Sequence, residues 1–205
     1  MASLSDAVGL LERALGYAFF GLDAITPEAM SRPTPCREWD LGALLGHVSD
    51  SLAALHEAVD DGHVATEGTR GVALAEPGPP GSPPRSPVDP VDPVAIVRDR
   101  ARRVLGSWVG AGDGDRLVTV GDCPLRAGVV AYVGAIEVAV HGWDIHRACG
   151  RPRPIPSALA TDLLQLAPVL VTDAERPSRF AAPVPVSPAT GAGDRLVAFL
   201  GRDPI

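Results

Sequence analysis

Apolar residues recur three and four positions apart along much of this 205-residue chain, in stretches separated by clusters of proline and glycine. That spacing is the pattern of helices that bury one face. From Ser5 to Ala24 the apolar positions are Leu10, Leu11, Ala14, Leu15, Ala18 and Phe19, which predict a first helix capped by Ser3 or Ser5. Residues 26–38 carry Pro27, Pro33 and Pro35 and read as a crossing loop. Asp40 then caps a second helix that runs to about Asp60, with a stripe of Leu41, Leu44, Leu45, Val48, Leu52 and Leu55. Residues 62–93 hold eight prolines and few large apolar residues besides Val72 and Leu74, too little to offset chain entropy, so a mobile loop is expected there. Its Pro80 to Pro87 stretch has PxxP character, with a solvated connector as the favoured reading.

Asp92 and Pro93 suit the cap and first position of a third helix carrying Val94, Val97, Ala101, Val104, Leu105 and Trp108, ended by the glycines after Val109. Arg116 to Val120 reads as a short strand, and Cys123-Pro124 as punctuation before a helix from Ala127 to Cys149 that Gly150 and Pro152 stop. A fifth helix over about Ser157 to Val171, a proline-rich extended piece and a last helical turn from Asp194 to Leu200 complete the chain. These elements predict an all-α helical bundle over residues 1–150, with 62–93 as its loop and 151–205 as a C-terminal helix and small extension. No internal repeat is present.

Composition narrows the function. Hydrophobic residues make up 46% and charged residues 21%, which suits a globular core and excludes wholesale disorder. A net charge of −7 argues against a phosphate backbone as partner, so no nucleic acid is expected. All 18 basic residues are arginine, asparagine is missing and Gln165 is the one glutamine, a bias that reads as a GC-rich genome. Cys36, Cys123 and Cys149 lack CxxC spacing, and Asp6 and Glu12 stand where a signal peptide would be basic, so a reducing, cytoplasmic setting is expected. The longest apolar run, Ala127 to Ile136, is shorter than the roughly 20 residues of a membrane span.

The chemistry concentrates in the fourth helix. Val129, Val130, Tyr132, Val133, Ile136, Val138, Val140, Trp143 and Ile145 leave it without an obvious solvent face, so it should be buried. Glu137, His141 and Asp144 lie four and three apart within it, on one stripe. An interior carboxylate needs a partner or a metal, and Glu137 and His141, about 6 Å apart along the axis, can reach one cation. His47 is the best placed further ligand, mid-helix with small residues Gly42, Ala43 and Gly46 that would permit close approach. His56, His63 in the loop, and His146, about 140° round the helix from His141, look peripheral. A buried Glu137–His141 ion pair and a hydrogen-bonded core His47 are the alternatives to a metal site.

Two passages carry a resemblance: Thr34-Pro35-Cys36-Arg37-Glu38-Trp39-Asp40-Leu41-Gly42-Ala43-Leu44-Leu45-Gly46-His47-Val48, and Glu137-Val138-Ala139-Val140-His141-Gly142-Trp143-Asp144-Ile145. Together they resemble the N-terminal domain of mycothiol-dependent maleylpyruvate isomerase, within the DinB-like superfamily. The closing Asp194-Arg195-Leu196-Val197-Ala198-Phe199-Leu200-Gly201-Arg202-Asp203-Pro204 resembles the end of short actinobacterial members. The resemblance implies an up-and-down four-helix bundle and a divalent metal held by His47, Glu137 and His141. Zinc is preferred, with nickel or iron also compatible, and open coordination positions would admit an exogenous group.

The implied activity is metal-dependent transfer or isomerisation that uses mycothiol as co-substrate on an electrophilic small molecule. Asp144 would orient a ligand, and Arg147 would meet an anionic group or, alternatively, interact with the helix C-terminus. The isomerases carry a C-terminal domain that contributes an arginine. Here about 55 residues follow Gly150, and Arg176, Arg179, Arg195 and Arg202 have no placement on that pattern, so maleylpyruvate isomerisation itself is not implied. A metal-dependent hydrolase with Asp144 or Glu38 as base, and a non-catalytic small-ligand-binding protein, are the competing classes. A homodimer paired through helix faces is compatible with such a bundle. Cys36 reads as structural.

Overall fold

A computed structural model describes residues 4–36, 39–65, 92–110, 116–173, 176 and 180–205. Ser3, Glu38, Arg179, the PxxP stretch and nearly all of the 62–93 loop lie outside the described residues. The chain is mainly helical, with α1 at Leu4–Leu22, α2 at Leu41–Asp60, α3 at Pro93–Gly110, α4 at Ala127–Ala148, α5 at Ser157–Leu170 and α6 at Ala192–Phe199. A 3-10 turn, Pro27–Ala29, precedes α2.

The predicted stripes are the buried faces, with Phe19 and Leu105 only partly buried at their margins. Leu10, Leu11, Ala14, Leu15 and Ala18 of α1, Leu41, Leu44, Leu45, Val48, Leu52 and Leu55 of α2, and Val94, Val97, Ala101, Val104 and Trp108 of α3 are all buried. Asp40 Oδ1 accepts from Ala43 N–H at 2.8 Å, and Asp92 Oδ1 from Val94 N–H at 2.9 Å, so the caps anticipated for α2 and α3 form, whereas Ser5, anticipated as a cap of α1, lies inside that helix. α1 packs along α4 and α2 along α3, and α2 also meets α4. Trp108 fixes α3 to α2 by donating its indole N–H to the Leu55 carbonyl at 3.1 Å.

α4 is the central element, with 16 of its 22 residues buried. Its length and hydropathy would suit a membrane crossing, but its surface is spent on contacts inside the protein. Two glycines set how closely its neighbours approach. A Cβ at Gly142 would stand 2.9 Å from both Cα and Cβ of Ala18 in α1, and one at Gly134 2.7 Å from the Leu55 side chain in α2. The close approach expected at Gly46 is not there: Gly46 is exposed, with open space where a Cβ would stand, and Gly42 faces the Met30 carbonyl of the preceding loop. The small residues that matter are on the largely buried α4, at positions that face α1 and α2.

A small sheet packs against α2 and α4, with β1 at His63–Val64, β2 at Leu117–Val120 and β3 at Cys123–Arg126 in the order β1-β2-β3. β1 runs parallel to β2, so His63 sits in a strand opposite Thr119, not in a loop as expected. β3, which the sequence pattern did not predict, pairs antiparallel with β2 through a two-residue Gly121-Asp122 turn, with Gly121 at φ +58°. Pro124 is tolerated because β3 is an edge. Past α4, Gly150 at φ +68° turns the chain, with Gly150 N–H donating to Arg147 O and Arg151 N–H to His146 O. α5 then packs against α1, α4 and α6.

Candidate metal centre

The loop before α2 is folded on itself. The Thr34 hydroxyl lies 3.0 and 2.9 Å from the carbonyl oxygens of Cys36 and Trp39, while Leu41 N–H and Gly42 N–H reach back to Arg32 and Met30. This closes the start of α2 and sets the half-buried Trp39 indole against His47, ring centroids 4.5 Å apart, and 6.0 Å from His141. His47 projects from the second turn of α2 towards Glu137 and His141 of α4.

Those three side chains meet. His47 Nε2 lies 3.6 Å and His141 Nε2 3.2 Å from the same atom, Glu137 Oε2, and one donor atom from each residue falls within 4.8 Å of the others. The two imidazoles stand edge to face, 5.0 Å between centroids. Bonds of about 2.0–2.2 Å to a tetrahedral cation put neighbouring ligand atoms about 3.3–3.6 Å apart, so the donor spacing and the His-carboxylate-His chemistry fit a divalent transition metal. The set is graded in depth: the His141 side chain is 6% exposed, whereas Glu137 is 24% and His47 35% exposed. The fully interior carboxylate expected from the sequence is therefore at the mouth of the site.

The surroundings set the protonation of Glu137 and His141. Burial alone would raise the Glu137 carboxyl, but the adjacent imidazoles of His141 and His47 outweigh it and hold Glu137 well below the ordinary glutamate range. Burial likewise works against a charged His141, and its bonds to Asp144 and Glu137 win, raising it above the usual imidazole value.

Asp144 lies directly behind His141. Its Oδ2 is 3.1 Å from His141 Nδ1 and 3.1 Å from Arg202 Nη2, and its side chain is fully buried. A base that activates water must reach water, and Asp144 does not. Arg147 donates to the Ile205 carbonyl at 3.0 Å and lies over the Trp143 ring. His56 pairs with Asp60. His146 is not peripheral but buried, its Nε2 3.3 Å from the Tyr17 carbonyl oxygen, because the α4 face 140° from His141 packs on α1. No disulfide joins the three cysteines, and Cys123 is exposed on β3.

Two neighbours of the site were not assigned from sequence. Trp39 was visible in the first motif, beside the histidine passage. Arg202 comes from the C-terminal segment, 58 residues from Asp144, and no local signal connects them.

No curated protein gives a significant match to this chain. No solved structure does so either. The family model of the mycothiol maleylpyruvate isomerase N-terminal domain matches residues 21–146, a span that includes His47, Trp39, Glu137, His141 and Asp144. On that match the chain belongs to the mycothiol maleylpyruvate isomerase N-terminal domain family.

Proposed function

We propose that this protein is a metal-dependent thiol S-transferase or isomerase, with His47, Glu137 and His141 as ligands and mycothiol as the thiol that meets an electrophilic small molecule. The observation that carries this reading is the gradient of exposure across the ligand set. His141 is sealed in the core while His47 and Glu137 stand at the surface, so three protein donors leave one side open to an incoming group. A divalent cation there, zinc in preference to nickel or iron, supplies the positive charge that holds a thiol as its nucleophilic thiolate.

The chain's own residues do the positioning. Asp144 accepts the Nδ1 proton of His141 and leaves Nε2 facing Glu137, so the imidazole is fixed in tautomer and direction. The Trp39 ring packs against His47, 4.5 Å between centroids, and supports that imidazole. Arg147 is the candidate for an anionic group of substrate or thiol, on release of the Ile205 carbonyl it now holds.

The test is turnover of a panel of small electrophiles by metal-loaded protein, with and without mycothiol. Product that requires both thiol and metal supports the reading. Thiol-independent turnover would move it to hydrolysis, and metal and thiol binding without product to a ligand-binding protein on the same scaffold.

A further inference from the structure

The family match ends at residue 146, yet a buried side chain from far beyond it reaches the back of the ligand set. α6 ends in a glycine turn: Gly201 N–H donates to Ala198 O at 3.0 Å and Arg202 N–H to Val197 O at 2.9 Å, with Gly201 at φ +83°. A Cβ at Gly201 would lie 2.7 Å from Ala181 Cβ and 2.8 Å from its carbonyl oxygen, so both the backbone conformation and the space require glycine. Arg176 braces the same turn from the other side, donating to the carbonyls of Ala181 and Phe199. The turn delivers Arg202 into the interior, where it is 6% exposed.

Arg202 is held at both ends of its fork. Nη1 donates to the Leu200 carbonyl at 2.8 Å, and Nη2 to Asp144 Oδ2 at 3.1 Å, the atom that also meets His141 Nδ1. Asp144 Oδ1 has no hydrogen-bond partner among the described residues. Arg202 is therefore the cation that compensates a carboxylate with no access to water, and a carboxylate so compensated can hold an imidazole N–H in one direction.

We infer that Arg202 is a positioning residue of the metal centre: it clamps Asp144, Asp144 orients His141 through Nδ1, and the C-terminal segment thereby tunes how tightly the ligand set binds a cation. The inference rests on the metal-site reading above and adds a third layer to it. Removal of groups that orient ligands typically costs 10–100-fold in metal affinity, and an effect passed through one further residue belongs at the low end.

The test uses the full chain and two readouts. The first is Zn2+ affinity, measured by competition with a chromophoric chelator, in wild type, R202M, R202K, D144N and the D144N/R202M double variant. R202M is expected to bind about tenfold more weakly than wild type, R202K to lie between them, and the double variant to be no weaker than D144N alone. The second readout is the exchange protection of the His141 Nδ1 proton in metal-free protein by NMR, assigned with H141Q. Protection should be present in wild type and lost in R202M.

If R202M does not fold, R202K is read in its place, with weaker binding and faster proton exchange than wild type expected. Any folded Arg202 variant that keeps wild-type affinity within about twofold and an equally protected proton overturns the inference. A merely structural role would lower the melting temperature and leave both readouts unmoved in the folded protein. Failure of wild type to bind Zn2+ would defeat the metal-site reading by itself, while the proton readout still decides whether Arg202 clamps Asp144 and His141.

Discussion

Glycine-to-alanine substitutions at two helical positions near the site should change stability in opposite directions. In a helix interior alanine is favoured over glycine by about 0.5–1 kcal/mol, and that gain is common to both. At Gly46 nothing lies within 4 Å of the new Cβ, so G46A should be stabilised by about the full 0.5–1 kcal/mol. At Gly142 the Cβ would stand 2.9 Å from Ala18 Cα and Cβ and 3.3 Å from Tyr17 Cδ1. Carbon atoms rest at about 3.5–4.0 Å, so α1 and α4 would have to part by about 0.6–1.1 Å.

Ala18 has no rotamer to move aside, which puts the overpacking cost towards the upper part of the usual range of about 1–3 kcal/mol. Net of propensity, G142A should lose about 1–2 kcal/mol. For a chain of this size each kcal/mol is about 2–4 °C, so G142A should melt about 2–8 °C below wild type and G46A about 1–4 °C above it. Thermal and urea unfolding of chelator-treated protein, followed by circular dichroism, measures both. G142A as stable as wild type, or G46A less stable, would refute the packing argument.

That pair also shows where the sequence was and was not legible. The one-sided stripes of α1, α2 and α3 and the Asp40 and Asp92 caps are local signals, and each is present in the structure. Which helix supplies the close-packing glycines is a tertiary property. The sequence pointed to α2 because Gly42 and Gly46 precede His47 in its helix, whereas Gly134 and Gly142 of α4 meet their neighbours because they lie on the faces of that helix packed against α2 and α1. β1 escaped because two residues, His63 and Val64, find their partner more than fifty positions away. β3 had a local signal in Gly121-Asp122, but Pro124 argued against a strand and only an edge position accommodates it.

The candidate site divides the same way. Glu137 and His141 share a helix face by spacing, and His47 came with its motif. Arg202 reaches Asp144 only through the Gly201 turn, and nothing along the chain announces that pairing.

Three further outcomes are expected. Zn2+ at about 100 times its Kd should stabilise the folded chain by about 2.7 kcal/mol, raising the melting temperature by about 5–11 °C in wild type and not in H141A; an equal rise in both would remove His141 from the ligand set. Trp39 stacks on a proposed ligand, so Zn2+ should change the tryptophan emission of wild type but not of W39F, and an undiminished change in W39F would place the cation elsewhere. Burial beside Tyr17 lowers the His146 pKa, so the unfolded chain takes up a proton near its ordinary value of about 6.5 before the folded one does. The stability held above that pH is lost as pH falls, with a slope of at most about 1.4 kcal/mol per pH unit, and the wild-type advantage over H146Q should shrink between about pH 7.5 and 5.5. A constant difference would show that His146 is not held neutral by the fold.

The central claim is that His47, Glu137 and His141 converge to hold one divalent cation. Elemental analysis of protein purified without added metal or a metal-binding tag, and again after reconstitution, tests it directly against the H47A variant. The account predicts close to one equivalent of transition metal in wild type and its loss in a folded H47A. Metal in neither sample after reconstitution, or full retention in H47A, would contradict it.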